Sequence, residues 1–180
     1  MDINLYVYRN PKDVMTSHFH SSKSLVVLKD SDNMEDFMER FLDGKVVGRL
    51  WSDHIRHWYG HGHDFSILFV MYEEMKNELR SAVLKLSSFF FEKELSEEDM
   101  DAVGEQATFQ NMASDPQINY DYILKVVMKT QVNESIFLRK VTPADWKRHL
   151  TVEQNEKFDR IFQSKVKDFP LKFIWDLNED

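Results

Sequence analysis

The sequence predicts an α/β fold, a parallel sheet with flanking helices, and three observations carry that reading. Ile3-Asn4-Leu5-Tyr6-Val7-Tyr8 alternates and is rich in aromatic and β-branched residues, as a short buried strand is. Phe65-Ser66-Ile67-Leu68-Phe69-Val70-Met71 is an almost continuous apolar run, the pattern of a strand covered on both faces. Each run is followed at once by a helix signal, so the chain holds two strand–turn–helix units. Two strands are too few for a stable doubly covered sheet, so further strands are expected elsewhere in a longer chain.

The elements follow in order. Asn10 suits a helix N-cap and Pro11 the first helical position, so a helix starts directly after Arg9. Val14, Ser17 and His18 fall on one of its faces, with Phe19 beside them. Lys23 to Asp32 is polar and reads as a loop. Met34, Phe37, Met38, Phe41 and Leu42 recur at helical spacing and end near Gly44. Trp51, Ile55 and Trp58 predict a short helix ending at Gly60. Tyr72 leads into one long amphipathic helix carrying Met75, Leu79, Val83, Leu86 and Phe90. Ser96-Glu97-Glu98-Asp99 is a capping-box-like start to the next. Residues 108–142 are mixed and predict loops and short turns. Pro143 to Leu150 predicts one or two helical turns. Thr151 opens a final helix with Val152, Phe158, Phe162 and Val166 inward, and Leu171 and Phe173 close the chain as a strand. There is no internal repeat.

Composition bounds the function. The 180 residues are 42% hydrophobic and 30% charged, with five Gly, four Pro and no Cys. That excludes a disordered chain and a disulfide scaffold. No apolar run approaches the ~20 residues of a membrane helix. Met1 leads straight into the first strand, which leaves no room for a signal peptide, and the absence of Cys makes a cytoplasmic setting the default. A net charge of −8 argues against general binding to nucleic acid or anionic membrane but permits a local anion pocket.

Four groups of residues could carry chemistry. Arg9 stands at a strand end before a capped helix, where free N–H groups, the helix dipole and a guanidinium together suit an anion, and Ser17 on the same helix adds a hydroxyl. Asn-Pro is equally the mark of an ordinary helix start. Phe137-Leu138-Arg139-Lys140, with Lys147 and Arg148, is a basic patch that suits a phosphate or is a solvated charge run. His57 and His61 are spaced i,i+4 and His63 follows, a spacing compatible with zinc but lacking Cys or an acid between the ligands. Tyr72 and Phe109 are placed to pack against a purine, or simply belong to the core.

Together these segments resemble the cytosolic sulfotransferase family. Arg9-Asn10-Pro11-Lys12-Asp13, continuing to Ser17, resembles its RNPKDxxxS element. Phe41-Leu42-Asp43-Gly44-Lys45-Val46, then Trp51 and Asp53-His54, resembles FLxGKVxxxxWxDH. Tyr72-Glu73-Glu74-Met75-Lys76 resembles YEDMK, and Phe137 to Lys147 resembles FxRKGxxGDWK. Lys147, Thr151, Val152 and Glu156 fit the dimerisation pattern KxxxTVxxxE, although Thr151 also suits a plain helix cap.

The resemblance implies a fold related to nucleotide kinases, the P-loop nucleoside-triphosphate-hydrolase-like sulfotransferase fold. It implies transfer of a sulfonate group from 3′-phosphoadenylyl sulfate (PAPS), without a metal, to a hydroxyl or amine of a small molecule. Arg9 and Ser17 would hold the donor's 3′-phosphate, Arg139 and Lys140 would grip it from the other side, and Tyr72 and Phe109 would flank the adenine. A homodimer would form through Lys147, Thr151, Val152 and Glu156. Neither the family's TYPKSGTTW-like phosphosulfate loop nor a His in its catalytic context occurs in these 180 residues, so no catalytic residue carries over. Residues 1–180 are therefore expected to be a single unit, the C-terminal portion of a sulfotransferase domain, with its N-terminal strands and phosphosulfate loop absent. Val141 replaces the Gly after Arg-Lys, Ala107 stands where a Thr usually helps hold adenine, and Gly48-Arg49-Leu50 replaces a Tyr-Gly-Ser-like stretch near the acceptor pocket. The competing readings are an inactive fragment serving at most as a dimerisation or nucleotide-binding module, and a His-dependent metal module.

Overall fold

A computed structural model describes residues 3–24, 31–91, 95–119, 142–167 and 173–175. Strand β1, Ile3–Tyr8, pairs in parallel with β2, Ser66–Met71, with Ile3 opposite Ser66 and Tyr8 opposite Met71. Parallel strands require a long crossover. Here it runs through α1 (Pro11–Ser24), α2 (Met34–Leu42) and α3 (Trp51–Gly60). After β2 come α4 (Tyr72–Asn77), α5 (Leu79–Phe91), α6 (Glu97–Gln106) and α7 (Phe109–Ser114). A 3-10 turn at Asp145–Arg148 leads into α8, Val152–Val166.

The helices start where local chemistry tells them to. Asn10 caps α1, its Oδ1 accepting from the N–H groups of Lys12 and Asp13. Asn33, Ser96 and Thr108 cap α2, α6 and α7 with side-chain oxygens. Thr151 and Gln154 form a reciprocal capping box on α8. α2 ends at Asp43, and Gly44 follows at φ 71°, the left-handed region in which a glycine carries no Cβ penalty.

The main core is helical. Met15 and Phe19 of α1, Phe37, Met38, Phe41 and Leu42 of α2, and Phe158 and Phe162 of α8 form one buried cluster, with Trp51, Phe173 and Trp175 packed on its edge. Phe158 stacks on Phe162 at 5.5 Å between ring centroids.

Several expectations need correction. β1 is not buried on both sides: Ile3, Leu5 and Val7 are 50%, 42% and 46% exposed. Only its other face packs, Tyr6 against Phe69, Trp58 and His54, and Tyr8 against Phe173. β2 is fully buried only at Val70 and Met71. The single long helix after Tyr72 is two, because Glu78 leaves helical geometry at φ −131°, ψ 63°. In α1 the fully buried stripe is Lys12, Met15, Thr16 and Phe19, while Val14, Ser17 and His18 are half-buried. α1 also runs on to Ser24, into the stretch read as loop. α7 is a regular helix inside the stretch read as irregular. Val152 faces outward, 76% exposed. Phe173 lies in irregular backbone rather than a strand, and Leu171 is outside the described residues.

Candidate functional site

The strand register builds the site. Because Tyr8 and Met71 are partners, both strands end side by side, and the next residues, Arg9 and Tyr72, emerge together at their carboxyl ends. Open α/β sheets bind ligands at that edge. The Arg9 guanidinium carbon lies 4.6 Å from the centre of the Tyr72 ring. Asn10 ties the two strand ends together, its N–H donating to Glu73 Oε1 at 3.0 Å. Its side-chain amide donates to the carbonyl of Ile174 at 2.9 Å.

Two carboxylates flank Arg9. Asp13 Oδ2 lies 3.3 Å from Nη2 and Glu73 Oε1 lies 3.8 Å from Nε, and both acid side chains are almost wholly shielded from solvent. Asp13 also receives two backbone bonds from the 3-10 segment: Ala144 N–H donates to Oδ2 at 2.9 Å and Trp146 N–H to Oδ1 at 3.0 Å. It thereby anchors Ala144, which sits in the left-handed region at φ 63°. That anchor fixes the turn that leads into the 3-10 segment.

The site is polar and incompletely satisfied. Among the described residues, four buried side-chain atoms make no hydrogen bond, and three of them meet here: Arg9 Nε, Arg9 Nη2 and Glu73 Oε2. Both Arg9 nitrogens have a carboxylate near them but no hydrogen bond, and native proteins rarely leave buried polar atoms so without a reason, of which a ligand is one. Burial pushes the Glu73 carboxyl above its ordinary value, against the opposing pull of the Asn10 N–H and Arg9. Burial likewise raises the Tyr72 hydroxyl, while Arg9 lowers it.

The structure thus brings Arg9 and Tyr72 together. Ser17 lies on α1 one turn beyond Asp13, half-buried, its carbonyl accepting from Ser21 Oγ at 2.9 Å. Phe109 opens α7, half-buried, and no ring contact joins it to Tyr72 among the described residues. Arg139, Lys140 and Val141 lie outside the described residues. Of the dimerisation set, Lys147, Thr151, Val152 and Glu156 are all exposed along one segment, with Thr151 serving the capping box. The His57 and His61 rings lie 4.6 Å apart between centroids, tilted at 59°, and His61 Nδ1 pairs with Asp64 at 2.8 Å. No group of three or more metal-ligating side chains assembles among the described residues.

Sequence reasoning assigned no role to Asp13 or Glu73. A carboxylate in the first turn of a helix ordinarily answers the dipole from solvent. Nothing local reveals that these two are buried against one guanidinium.

Beside Arg9 opens a second cleft of about 360 Å³, lined by Tyr6, Tyr8, His18, Gly48, Arg49 and His54 among others. The Tyr6 hydroxyl and His54 Nδ1 are 2.7 Å apart, and burial pushes the Tyr6 hydroxyl up to about 12. Gly48 and Arg49 both adopt positive φ, 90° and 60°, which turns the chain sharply along the cleft.

Comparison with known proteins gives this geometry a context. The family model for the sulfotransferase domain matches residues 4–170. An amine sulfotransferase of Oryctolagus cuniculus is 61% identical over 176 residues, covering 98% of this chain and 58% of the relative. Sulfotransferase 1E1 of Bos taurus is 37% identical over 169 residues, covering 94% of this chain and 56% of the relative. The chain thus spans a little over half the length of these curated relatives. Among solved structures, retinol dehydratase in a complex with retinol and PAP superposes with a TM-score of 0.84 at 25% identity, over 94% of this chain and 49% of that one. Mouse sulfotransferase SULT7A1 complexed with PAP gives 0.78 at 28% identity, over 93% and 59%.

Proposed function

This chain belongs to the sulfotransferase family, and from that premise we propose that Arg9, Ser17 and Tyr72 hold the 3′-phosphate and adenine of 3′-phosphoadenylyl sulfate. The supporting observation is the Arg9 guanidinium, with two buried nitrogens that make no hydrogen bond, set at the N-terminus of a 14-residue helix beside an aromatic face. A guanidinium fork satisfies phosphate oxygens in pairs, and the α1 terminus favours the same charge. Arg139 and Lys140 complete the phosphate grip, and Phe109 covers the second face of the adenine.

When bound, the donor supplies the sulfonate group, which passes to a hydroxyl or amine of a small molecule. The rabbit relative is named for amines, which makes amines the first acceptors to try. The cleft beside Arg9 is the acceptor's place, since it is lined by Gly48 and Arg49, which stand where the family has a stretch near its acceptor pocket, and by rings such as Tyr6 and Trp51. Residues 1–180 act as the C-terminal portion of the domain. They bind the nucleotide but do not transfer sulfonate by themselves, because no Lys-Ser-Gly-Thr loop is among them to hold the 5′ side. The setting is cytoplasmic; among the described residues no helix is long and apolar enough to cross a membrane. A homodimer forms through the exposed segment from Lys147 to Glu156.

Calorimetric titration with adenosine 3′,5′-bisphosphate tests the site. Saturable binding lost in Arg9→Ala is expected. Equal affinity in the variant would remove Arg9 from the site, and measurable sulfonate turnover by the 180 residues would overturn the binding-only role.

A further inference from the structure

Arg9 brings one positive charge into a nearly closed space and meets two negative ones. The charged and titratable groups facing Glu73 among the described residues are Arg9 and Tyr8 from the end of β1, Asp13 from α1, and Tyr72 from α4. The Asn10 N–H and the carbonyl of Ile174 complete the wall without adding charge. Counted over Arg9, Asp13 and Glu73, the free site carries a net charge of about −1 before any ligand arrives. A phosphate dianion docking on Arg9 brings these three groups and the ligand to about −3, which the two cations of the proposed grip, Arg139 and Lys140, reduce to about −1, and it sets the new negative charge beside Glu73 in a poorly hydrated space. A second negative site forced that close to a buried carboxylate drives it to take up a proton.

The two carboxylates are not equivalent. Asp13 has both oxygens occupied by backbone N–H groups, so its charge is held in place by donors that cannot leave. Glu73 accepts the Asn10 N–H on Oε1, and its Oε2 is buried and makes no hydrogen bond among the described residues. Among the described residues, Oε2 is the open position of the cluster where a proton can reside.

Resting on the site assigned above, we infer that Glu73 is a positioning residue for Arg9 that takes up one proton at Oε2 when a phosphate dianion binds, so that ligand affinity is linked to pH. In the free protein the Glu73 carboxylate orients the guanidinium against Asp13 and Tyr72. On binding, a proton from solvent neutralises it, and Arg9 is released from one of its two carboxylates to face the phosphate. Tyr72 keeps the guanidinium in place from its other side, with its ring 4.6 Å away. Binding with proton uptake tightens as pH falls, up to ~tenfold per pH unit for one linked proton.

The test is calorimetry of the 180-residue chain with adenosine 3′,5′-bisphosphate in buffers of different ionisation enthalpy, between about pH 8 and about pH 7. The ligand's own phosphates, with a second pKa near ~6, stay largely dianionic there. The wild-type chain is expected to take up a substantial fraction of a proton and to bind several-fold more tightly at the lower pH. Glu73→Gln, which is isosteric and cannot ionise, is expected to bind with no such uptake and a flatter pH profile. Equal proton counts in the two proteins, or release rather than uptake in the wild type, would overturn the linkage while leaving the phosphate site standing. No binding by the wild-type chain would overturn both. If Glu73→Gln does not fold, the wild-type proton count in two buffers decides alone: zero uptake rejects the inference.

Discussion

Asp13 Oδ1 accepts the backbone N–H of Trp146 at 3.0 Å, a bond that spans 133 residues of sequence. Its second oxygen takes the N–H of Ala144 and lies 3.3 Å from the Arg9 guanidinium. One buried side chain thus fixes the strand end, the start of α1 and the turn that enters α8.

This makes Asp13 a stability prediction. Asp13→Ala leaves two buried N–H donors and a guanidinium uncompensated, and should cost about 2–4 kcal/mol. Asp13→Asn should be almost as costly, because an amide offers one acceptor oxygen and turns an NH₂ donor toward the other donor. Urea denaturation of both variants checks this. A near-neutral Asn variant would show that one of the two backbone bonds is dispensable.

Arg9 separates charge from geometry. Arg9→Lys keeps the charge but loses the fork and the flat face over Tyr72. Both Arg9→Lys and Arg9→Ala should weaken adenosine 3′,5′-bisphosphate binding by about tenfold or more, corresponding to ~1.4 kcal/mol per decade. Full retention of affinity in Arg9→Lys would mean that the site reads charge alone.

How much of this was legible in the sequence depends on the range of each signal. Asn10-Pro11, Ser96 and Thr151 announce helix starts through bonds made within three or four residues, and all three cap as expected. The α2 stripe is equally local, and its apolar residues sit in the core. The break at Glu78 was not visible, because no Gly or Pro marks it and the apolar spacing runs through it in phase. Leu5 and Val7 carry a strand pattern fit for burial and lie exposed, since such a pattern reports suitability for burial and not the presence of a covering layer. In the site, the anion-seeking character of Arg9 was legible from its place between a strand and a capped helix. The paired carboxylates were not, since only the parallel register brings Glu73 to Asn10 across 63 residues.

The core makes a plain prediction. Phe158 is fully buried, between Phe41, Phe162 and the Lys12 ammonium. Truncation to Ala leaves a cavity among helices that cannot all close on it, so Phe158→Ala should cost about 3–5 kcal/mol. Thermal or urea unfolding measures this.

The outward-facing Val152 separates folding from assembly. With 76% of its surface exposed, Val152→Glu should change monomer stability by no more than ~0.5 kcal/mol. Thr151→Ala next to it removes a capping bond and should cost about 1 kcal/mol. If the segment is the dimer contact, sedimentation of the wild type shows concentration-dependent mass, and Val152→Glu stays monomeric at every concentration. A wild-type monomer throughout would remove the contact.

Glu73 also governs stability against pH, independently of any ligand. Burial raises its carboxyl above the ordinary 4.5, so the folded state holds a proton that the unfolded chain has released. The sign follows from linkage. Stability is fully present below about 4.5 and is lost as pH rises through the raised folded value. Glu73→Gln stays neutral throughout and preserves the acceptor for the Asn10 N–H, so it escapes that loss. The variant should therefore match the wild type near about pH 4 and exceed it at neutral pH, with the difference growing between. Urea midpoints across that range read the effect. The opposite order at neutral pH, wild type above variant, would mean that the attraction of Arg9 at 3.8 Å outweighs the cost of burying the charge.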